Sequence, residues 1–305
     1  MTQPEALQNR TIEGSADGPH VLITAGVHGD EFEPMACVRR LLKVIEPDGL
    51  RGRLTLVPTV NEGAYRNKHR FDTDGLDLAR VFPGFAHVPD TLRTAHLLAG
   101  LIHEADYYID LHTGGTTMMV TPMVGYCLHE DAGIHDKQRD MARAFNLPFV
   151  WGTSGKLPGR SLSVARDAGV PALYTEYLGG ARCTPEGVQD LFDGCLNVLG
   201  LLDMIDREQP ADRIDHFVED ERELSGYMQI QNPAPMEGFF EPAVTLGQSI
   251  ERGDLIGTVC DVMGDRVEPV HAMQTGIVLT LKSFPRVDEN EGVAVIVEVD
   301  RPLGG

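Results

Sequence analysis

Two short segments of the chain carry the residue types of a metal-dependent hydrolase. His28 and Glu31 lie three positions apart within residues 26–31, and His112 follows later, within residues 110–115. Two imidazoles and one carboxylate make a three-ligand zinc site, and a catalytic zinc keeps its fourth position open for water or substrate. These residues therefore predict one Zn²⁺ per chain, held by His28, Glu31 and His112.

The predicted elements around these residues can bring them together. His28 follows an apolar run at 21–25 that is typical of a buried strand, and His112 follows a similar run at 107–111. Ligands of open α/β sheets bind beyond the carboxyl ends of the strands. Both histidines are thus expected at one sheet edge, and Glu31, one turn into the next helix, can reach the same point.

Two further acidic residues are expected near this edge. Glu176 follows a predicted strand at 170–175, where its carboxylate could act as the general base that a zinc hydrolase needs. A solvated loop carboxylate is the alternative interpretation of Glu176. Asp110 lies two positions before His112, on the same strand face, and is a candidate acceptor for an N–H of a histidine ring.

Three arginines are candidates for binding the substrate. Arg70 and Arg80 lie in a loop that follows a predicted strand at 54–60, and Arg160 lies at the predicted start of a helix. A guanidinium suits both a tetrahedral oxyanion and a substrate carboxylate. Surface positions are the alternative for each of these arginines.

The periodicity of apolar residues predicts an α/β fold up to about residue 205. Strand-like runs alternate with helical patterns, which indicates a doubly wound, mostly parallel sheet with helices on both faces. Besides the strands already given, the pattern predicts a strand at 120–128 and helices at 91–104, 136–145 and 185–202.

The pattern changes after residue 207. Residues 207–222 are polar and rich in charge, and short β-like runs separated by Gly, Pro and Asp follow at 243–246, 255–259, 276–281 and 293–299. We therefore predict a catalytic α/β domain at 1–206, a linker at 207–222 and a β-rich domain at 223–305.

Four motifs in order resemble the succinylglutamate desuccinylase/aspartoacylase family of zinc carboxypeptidase-like deacylases. They are G-x-H-G-D-E, DG-x-DL-x-R-x-FPG, DLHTG and T-E-x-x-G, between residues 20 and 190. The resemblance implies a mixed sheet of the zinc-carboxypeptidase type and a barrel-like C-terminal module. It also implies hydrolysis of the amide bond of a small N-acyl amino acid or related amine. Glu176 would activate the water and pass its proton to the leaving amine, and Arg70 would polarise the scissile carbonyl and stabilise the oxyanion.

The chain departs from the family pattern in the arginine loop. The family reads D-L-N-R, with the Asn and Arg gripping a substrate carboxylate, whereas this chain has Ala79 before Arg80. Ala79 removes the amide donor, so a carboxylate clamp is weakened or rebuilt. The weakened clamp puts specificity for acyl-aspartate or succinylglutamate in doubt. Arg160 could supply a replacement for the missing donor.

Composition limits the partners and the cellular location. The chain has 305 residues, with 26 Lys and Arg against 46 Asp and Glu, a formal net charge of −20. Nucleic acid and anionic membranes both need a basic face, so neither is expected as a partner. A polar N-terminus, the lack of a long apolar run and five scattered cysteines indicate a cytoplasmic protein with reduced thiols. The sequence leaves open whether the chain forms a homo-oligomer.

Two other functions are weighed against the deacylase. A metallocarboxypeptidase-like peptidase would use the same zinc site, but the missing Asn in the arginine loop argues against it. A non-catalytic binding protein is the second alternative, because residues 268–278 resemble the hairpin of biotinyl or lipoyl carrier domains. Gln274 stands where those domains carry the modified Lys, so we expect no attached cofactor and interpret this module as a structural cap or an oligomer surface.

Overall fold

The protein has a mixed α/β fold with one large sheet and a separate antiparallel sheet in the C-terminal part of the chain. A computed structural model describes residues 6–88, 90–223, 225–228 and 231–299. The large sheet is mostly parallel where it is built from residues up to 219.

Eight strands up to residue 219 form the first part of the large sheet. They are β1 (Arg10–Glu13), β2 (Ala16–Ala25), β3 (Arg51–Val57), β4 (Tyr107–Leu111), β5 (Met118–Cys127), β6 (Phe149–Thr153), β7 (Ala172–Gly179) and β8 (His216–Glu219). Their order across the sheet is β8-β6-β5-β7-β4-β2-β3-β1. The helices are α1 (Phe32–Val44), α2 (Glu62–Asn67), α3 (Thr91–Glu104), α4 (Ala132–Phe145), α5 (Ser161–Ala168) and α6 (Pro185–Leu201).

The register of three central strands sets the position of the predicted site. Strands β2, β4 and β7 are parallel neighbours, and Ala25, Leu111 and Thr175 lie side by side near their carboxyl ends. His28, His112 and Glu176 come within three residues of these positions. The register alone thus carries the predicted residues to one edge of the sheet.

Helices cover both faces of this sheet, as the sequence predicts. Helices α1, α4 and α6 pack on one face, and α3 and α5 pack on the other. Successive residues of β2 serve the two cores in turn: Val21 and Ile23 belong to the first, and Leu22 belongs to the second. Burial on both faces explains why this strand is continuously apolar.

The C-terminal strands divide between two sheets. They are β9 (Gly238–Pro242), β10 (Ser249–Ile250), β11 (Leu255–Cys260), β12 (Val267–His271), β13 (Gly276–Lys282), β14 (Arg286–Val287) and β15 (Ala294–Val297). The separate sheet has the order β12-β11-β9-β14. Strand β13 pairs with β5 in the large sheet, with Thr280 opposite Val120, and β10 and β15 pair with β13.

Several element boundaries differ from the sequence prediction. Helix α3 and strand β4 have the predicted bounds, whereas β3 ends at Val57 because the chain then turns, with Val60 N–H donating to the Ala25 carbonyl. Residues 243–246, predicted as a strand, are not in a strand but in a bend and the start of a turn before β10. Strand β8 lies within residues 207–222 and pairs in parallel with β6. No helix in the described ranges has the length and apolar character needed to cross a bilayer.

Candidate active site

His28, Glu31 and His112 form a buried cluster beyond the carboxyl ends of β2 and β4. His28 Nδ1 lies 2.6 Å from Glu31 Oε1, and His112 Nδ1 lies 3.0 Å from Glu31 Oε2. One ligand atom from each of the three residues lies within 4.8 Å of the others. The three donors therefore converge closely enough for one metal ion.

The loop between β2 and α1 holds two of these side chains in place. Glu31 occupies the position before the first turn of α1, yet its side chain caps no backbone N–H of the helix, so both carboxylate oxygens face the imidazoles. Gly29 packs directly on α2, where a Cβ atom would lie 2.1 Å from the carbonyl carbon of Ala64. Only glycine permits this contact, which fixes the loop against the helix.

The second nitrogen of each imidazole faces a carboxylate. His112 Nε2 lies 3.2 Å from Asp110 Oδ2, and His28 Nε2 lies 3.2 Å from Asp77 Oδ1. Such a pair fixes the tautomer and orientation of a metal-binding imidazole and raises its basicity. Both histidines thus have the second hydrogen bond that is typical of metal ligands.

Asp110 is itself held by two hydroxyl groups. Thr24 Oγ1 donates to Asp110 Oδ1 at 2.8 Å, and Ser161 Oγ donates to Asp110 Oδ2 at 2.5 Å. Burial disfavours the charged carboxylate, but His112 and the hydroxyl donors outweigh burial and lower the pKa of Asp110. Asp110 therefore stays ionised although it is fully buried.

The charges of the cluster are complementary. Burial opposes the ionisation of Glu31, but the two neighbouring imidazoles outweigh it and hold the pKa of Glu31 far below its usual range. Burial likewise disfavours a charged His112, but Asp110 and Glu31 raise the pKa of His112 well above its usual value. The three carboxylates around the two imidazoles, those of Glu31, Asp110 and Asp77, favour a bound cation. The donor set of two nitrogens and one carboxylate oxygen fits Zn²⁺.

Glu176 faces this cluster from within β7 rather than from the end of a strand. The strand continues to Gly179 because β7 also pairs with β5, where Glu176 lies opposite Met123. Glu176 Oε2 is buried and has no hydrogen-bond partner among the described residues. Burial, together with the charge of Glu31, raises the pKa of Glu176 to about 8. A buried, unpartnered carboxylate with a pKa near neutrality can exchange protons efficiently.

Arg70 lies beside the same cluster. Arg70 Nη2 donates to Asp77 Oδ2 at 3.1 Å, and Arg70 Nη1 lies 3.8 Å from Glu31 Oε1. Burial lowers the pKa of Arg70, but Asp77 and Glu31 more than compensate, so its pKa is raised and the guanidinium stays charged.

A single cavity joins most of the predicted residues. Its lining includes His28, Arg70, Ala79, Arg80, Asp110, His112, Arg160 and Glu176. The loops that carry Arg80 and Arg160 are joined, since a Cβ on Gly159 would lie 2.4 Å from the Arg80 carbonyl oxygen. Arg160 Nη2 also donates to the Gly226 carbonyl at 3.3 Å.

Sequence reasoning missed several residues of this site. Asp77, Thr24 and Ser161 hold the predicted residues, and Tyr174 and Cys127 line the cavity. Asp77 had a signal, because it belongs to the arginine-loop motif already singled out. The others lie in strands or at a helix start, where the pattern shows burial but not which neighbour is met.

Comparison with known proteins places the relatives of this chain in one family. Residues 17–202 match the model of the succinylglutamate desuccinylase/aspartoacylase catalytic domain. The N-alpha-acetyl-L-2,4-diaminobutyric acid deacetylase of Halomonas elongata is 28% identical over 300 residues, which cover 96% of this chain and 86% of that protein.

Solved structures agree with these relatives over nearly the whole chain. The succinylglutamate desuccinylase/aspartoacylase structure from Rhodobacter sphaeroides has a TM-score of 0.86 and 28% identity, covering 96% of this chain and 89% of that one. The product-bound ectoine utilization protein EutE (DoeB) from Ruegeria pomeroyi has a TM-score of 0.85 and 25% identity, covering 94% and 87%.

Proposed function

This chain belongs to the succinylglutamate desuccinylase/aspartoacylase family, and we propose that it is a zinc-dependent hydrolase that cleaves the amide bond of a small N-acyl amino acid or a related N-acyl amine. The relative from Halomonas elongata, which matches over 96% of this chain and is named as a deacetylase of an N-acetylated amino acid, supports this reaction class.

His28, Glu31 and His112 would hold the metal ion. Zn²⁺ bound there would act as a Lewis acid toward the scissile carbonyl and would lower the pKa of a water molecule. Asp77 and Asp110 contact Nε2 of His28 and His112 respectively. Nδ1 of each ring therefore faces Glu31 and is the nitrogen that would bind the metal. These carboxylates keep the ligand set preorganised, so little reorganisation is needed when the metal binds.

Glu176 would transfer the proton. Its ionised carboxylate takes a proton from the attacking water, which becomes the new oxygen of the product acid. The protonated carboxyl group then gives the proton to the leaving nitrogen as the C–N bond breaks. A pKa of Glu176 near 8 suits both directions, because neither the base form nor the acid form is strongly disfavoured.

Arg70 would stabilise the oxyanion that forms on the carbonyl oxygen. Its guanidinium remains charged. Asp77 holds the guanidinium in place through Nη2 and leaves other N–H groups free to donate to the oxyanion. Preorganised donors of this kind contribute most where charge develops in the transition state.

Arg80 and Arg160 would bind a carboxylate of the substrate. Both line the cavity, and the charge of Arg160 adds to burial in lowering the pKa of Arg80. Two close guanidinium groups favour an anion between them. Because Ala79 also lines the cavity, the contact that an Asn amide makes elsewhere in the family has to come from another group.

The observation that best supports this proposal is that His28, Glu31 and His112 converge on one point. Both histidines line a cavity that Glu176, with its unpartnered carboxylate oxygen, also lines. The test is to purify the protein, measure bound zinc by mass spectrometry and screen N-acyl amino acids for release of the amine. The Glu176→Gln variant should retain zinc and lose at least 100-fold in kcat.

A matched control is Glu33→Gln. Glu33 is a buried carboxylate in the first turn of α1, outside the cavity, and accepts hydrogen bonds from Thr184, which a glutamine oxygen can also do. This variant should keep its activity. Unchanged activity of Glu176→Gln would refute the mechanism, and a protein that releases no amine from any N-acyl substrate would refute the function.

A further inference from the structure

The cavity continues past the metal cluster to a floor of uncharged polar groups. Tyr174, Cys127 and Thr153 line this floor, together with Leu162 and Met228. None of the three polar side chains forms a hydrogen bond with another side chain of the described residues. Their hydrogen-bonding capacity is thus available to a ligand.

Tyr174 is placed below Glu176 by the strand itself. The two residues are two positions apart in β7 and share a face of the sheet, about 7 Å from each other along the strand. Tyr174 lies between Asp110 of β4 and Gly125 of β5. Glu176 is nearer to the carboxyl edge where the metal cluster lies, so Tyr174 forms a deeper level of the cavity.

Gly125 makes room for the aromatic ring. A Cβ atom on Gly125 would lie 2.2 Å from Tyr174 Cε1 and 2.6 Å from its phenol oxygen. Any larger residue at position 125 would force the ring of Tyr174 to move. The position of the phenol oxygen is therefore fixed by the backbone of the neighbouring strand.

The direction of the proton transfer tells which half of the substrate meets this floor. Glu176 gives its proton to the leaving nitrogen, so the amine half lies on the Glu176 side of the scissile bond. The deeper cavity below Glu176 is then the space for the side chain of that amine. The carboxylate of the amine half remains available to Arg80 and Arg160, which lie nearer the mouth of the cavity.

The floor itself presents no ionised side chain, because its polar groups are a phenol, a thiol and a hydroxyl. Burial raises the pKa of the Cys127 thiol to about 11 and raises that of the Tyr174 phenol further above its usual value, so both stay neutral.

We propose that Tyr174 is a specificity-determining residue whose phenol hydroxyl binds a neutral, hydrogen-bonding side chain on the amine half of the substrate. A carboxamide or a hydroxyl has the required chemistry. The proposal rests on the proposed function, since the amide hydrolase mechanism is what orients the substrate.

The test compares four substrates that share one acyl group, the one that the enzyme cleaves fastest. They are the N-acyl derivatives of asparagine, leucine, aspartate and 2,4-diaminobutyrate, of which the first three have side chains of nearly the same shape. The wild-type enzyme should prefer asparagine to the other three. In Tyr174→Phe the ratio of kcat/KM for asparagine over leucine should fall about tenfold, the effect of one neutral hydrogen bond.

Tyr177→Phe is the matched control. Tyr177 lies on the opposite face of the same strand, packs in the other core and donates to Asp190. Removing its hydroxyl should leave the ratio of the two substrates unchanged.

The possible outcomes separate the two hypotheses. An unchanged ratio in Tyr174→Phe, or a wild-type preference for aspartate or diaminobutyrate, would overturn the role of Tyr174 while leaving the hydrolase intact. If no N-acyl substrate is cleaved, the proposed function fails. Calorimetric binding of free L-asparagine to wild type and Tyr174→Phe then tests the floor directly, because binding needs no turnover, and equal affinities would overturn the proposal.

Discussion

Asp110 and His112 lie two residues apart at the end of strand β4, and Asp110 Oδ2 is 3.2 Å from His112 Nε2. Strand geometry produces this contact, because residues at positions i and i+2 share a face. The same strand thus supplies a predicted metal ligand and the carboxylate that orients it. Hydrogen bonds from Thr24 and Ser161 hold Asp110 from two other elements.

Replacing Asp110 by Asn should weaken zinc binding about 10–100-fold, because the ring of His112 loses its anionic partner. Competition with a chromogenic chelator measures the affinity directly. Asp140→Asn, an exposed position on α4, serves as the control and should bind zinc as the wild type does. Equal affinities for wild type and Asp110→Asn would show that the contact does not support the metal.

Arg70→Lys should lower kcat by about 100-fold with little change in zinc content, since a lysine cannot reproduce two directed N–H donors at the oxyanion. Steady-state kinetics and metal analysis on the same preparation test this. A proportionate loss of zinc would instead assign Arg70 to the integrity of the cluster, through its contact with Asp77.

Gly29→Ala should lower the free energy of unfolding by about 2–3 kcal/mol, because the added Cβ would meet the backbone of Ala64 at 2.1 Å. Urea denaturation measures this effect. Gly100→Ala is the contrasting variant, because Gly100 lies in α3 with no heavy atom within 4 Å of an added Cβ. This substitution should raise the free energy of unfolding by about 0.5–1 kcal/mol. A Gly29→Ala protein as stable as the wild type would show that the loop can move away from α2.

Glu219 should make the protein sensitive to acid. Hydrogen bonds from Arg139, with further ones from Tyr126 and His135, lower the pKa of Glu219 in the folded protein. A lowered folded-state pKa stabilises the protein above the unfolded-state value, and this contribution is lost as the pH falls below about 4.5.

The measurement for this prediction is a comparison of wild type with Glu219→Gln by urea denaturation at pH 6 and pH 3. The wild type should be more stable by about 1 kcal/mol at pH 6, a modest value because solvent screens a partly exposed pair. The difference should shrink at pH 3. A difference that does not depend on pH would mean that Glu219 acts through packing alone.

The sequence predicted the core of the fold for physical reasons that are visible in particular residues. Val21, Leu22 and Ile23 read as a buried strand because helices cover both sides of β2. The short edge strands β1 and β14 were missed, because too few of their residues are buried to leave a pattern.

The candidate site, like the fold, could be predicted from the sequence only in part. Spacing next to strand ends was enough to select His28 and His112, since the register of parallel strands brings their ends together. Asp77 and Ser161 could not be selected in this way, because each reaches the site from a separate loop or helix start whose position depends on tertiary packing. Tyr174 depends on the absence of a side chain at Gly125, a neighbour distant in the chain.

Strand β5 is shared between the two parts of the chain, and this has a consequence for cooperativity. Val120 is paired with Leu178 of β7 on one side and with Thr280 of β13 on the other. Loss of the C-terminal strands would leave residues 118–120 of β5 without a ladder partner on one edge, because β6 covers only residues 123–127 there. We therefore expect a fragment that ends at residue 206 to fold poorly, and the intact protein to melt in a single transition.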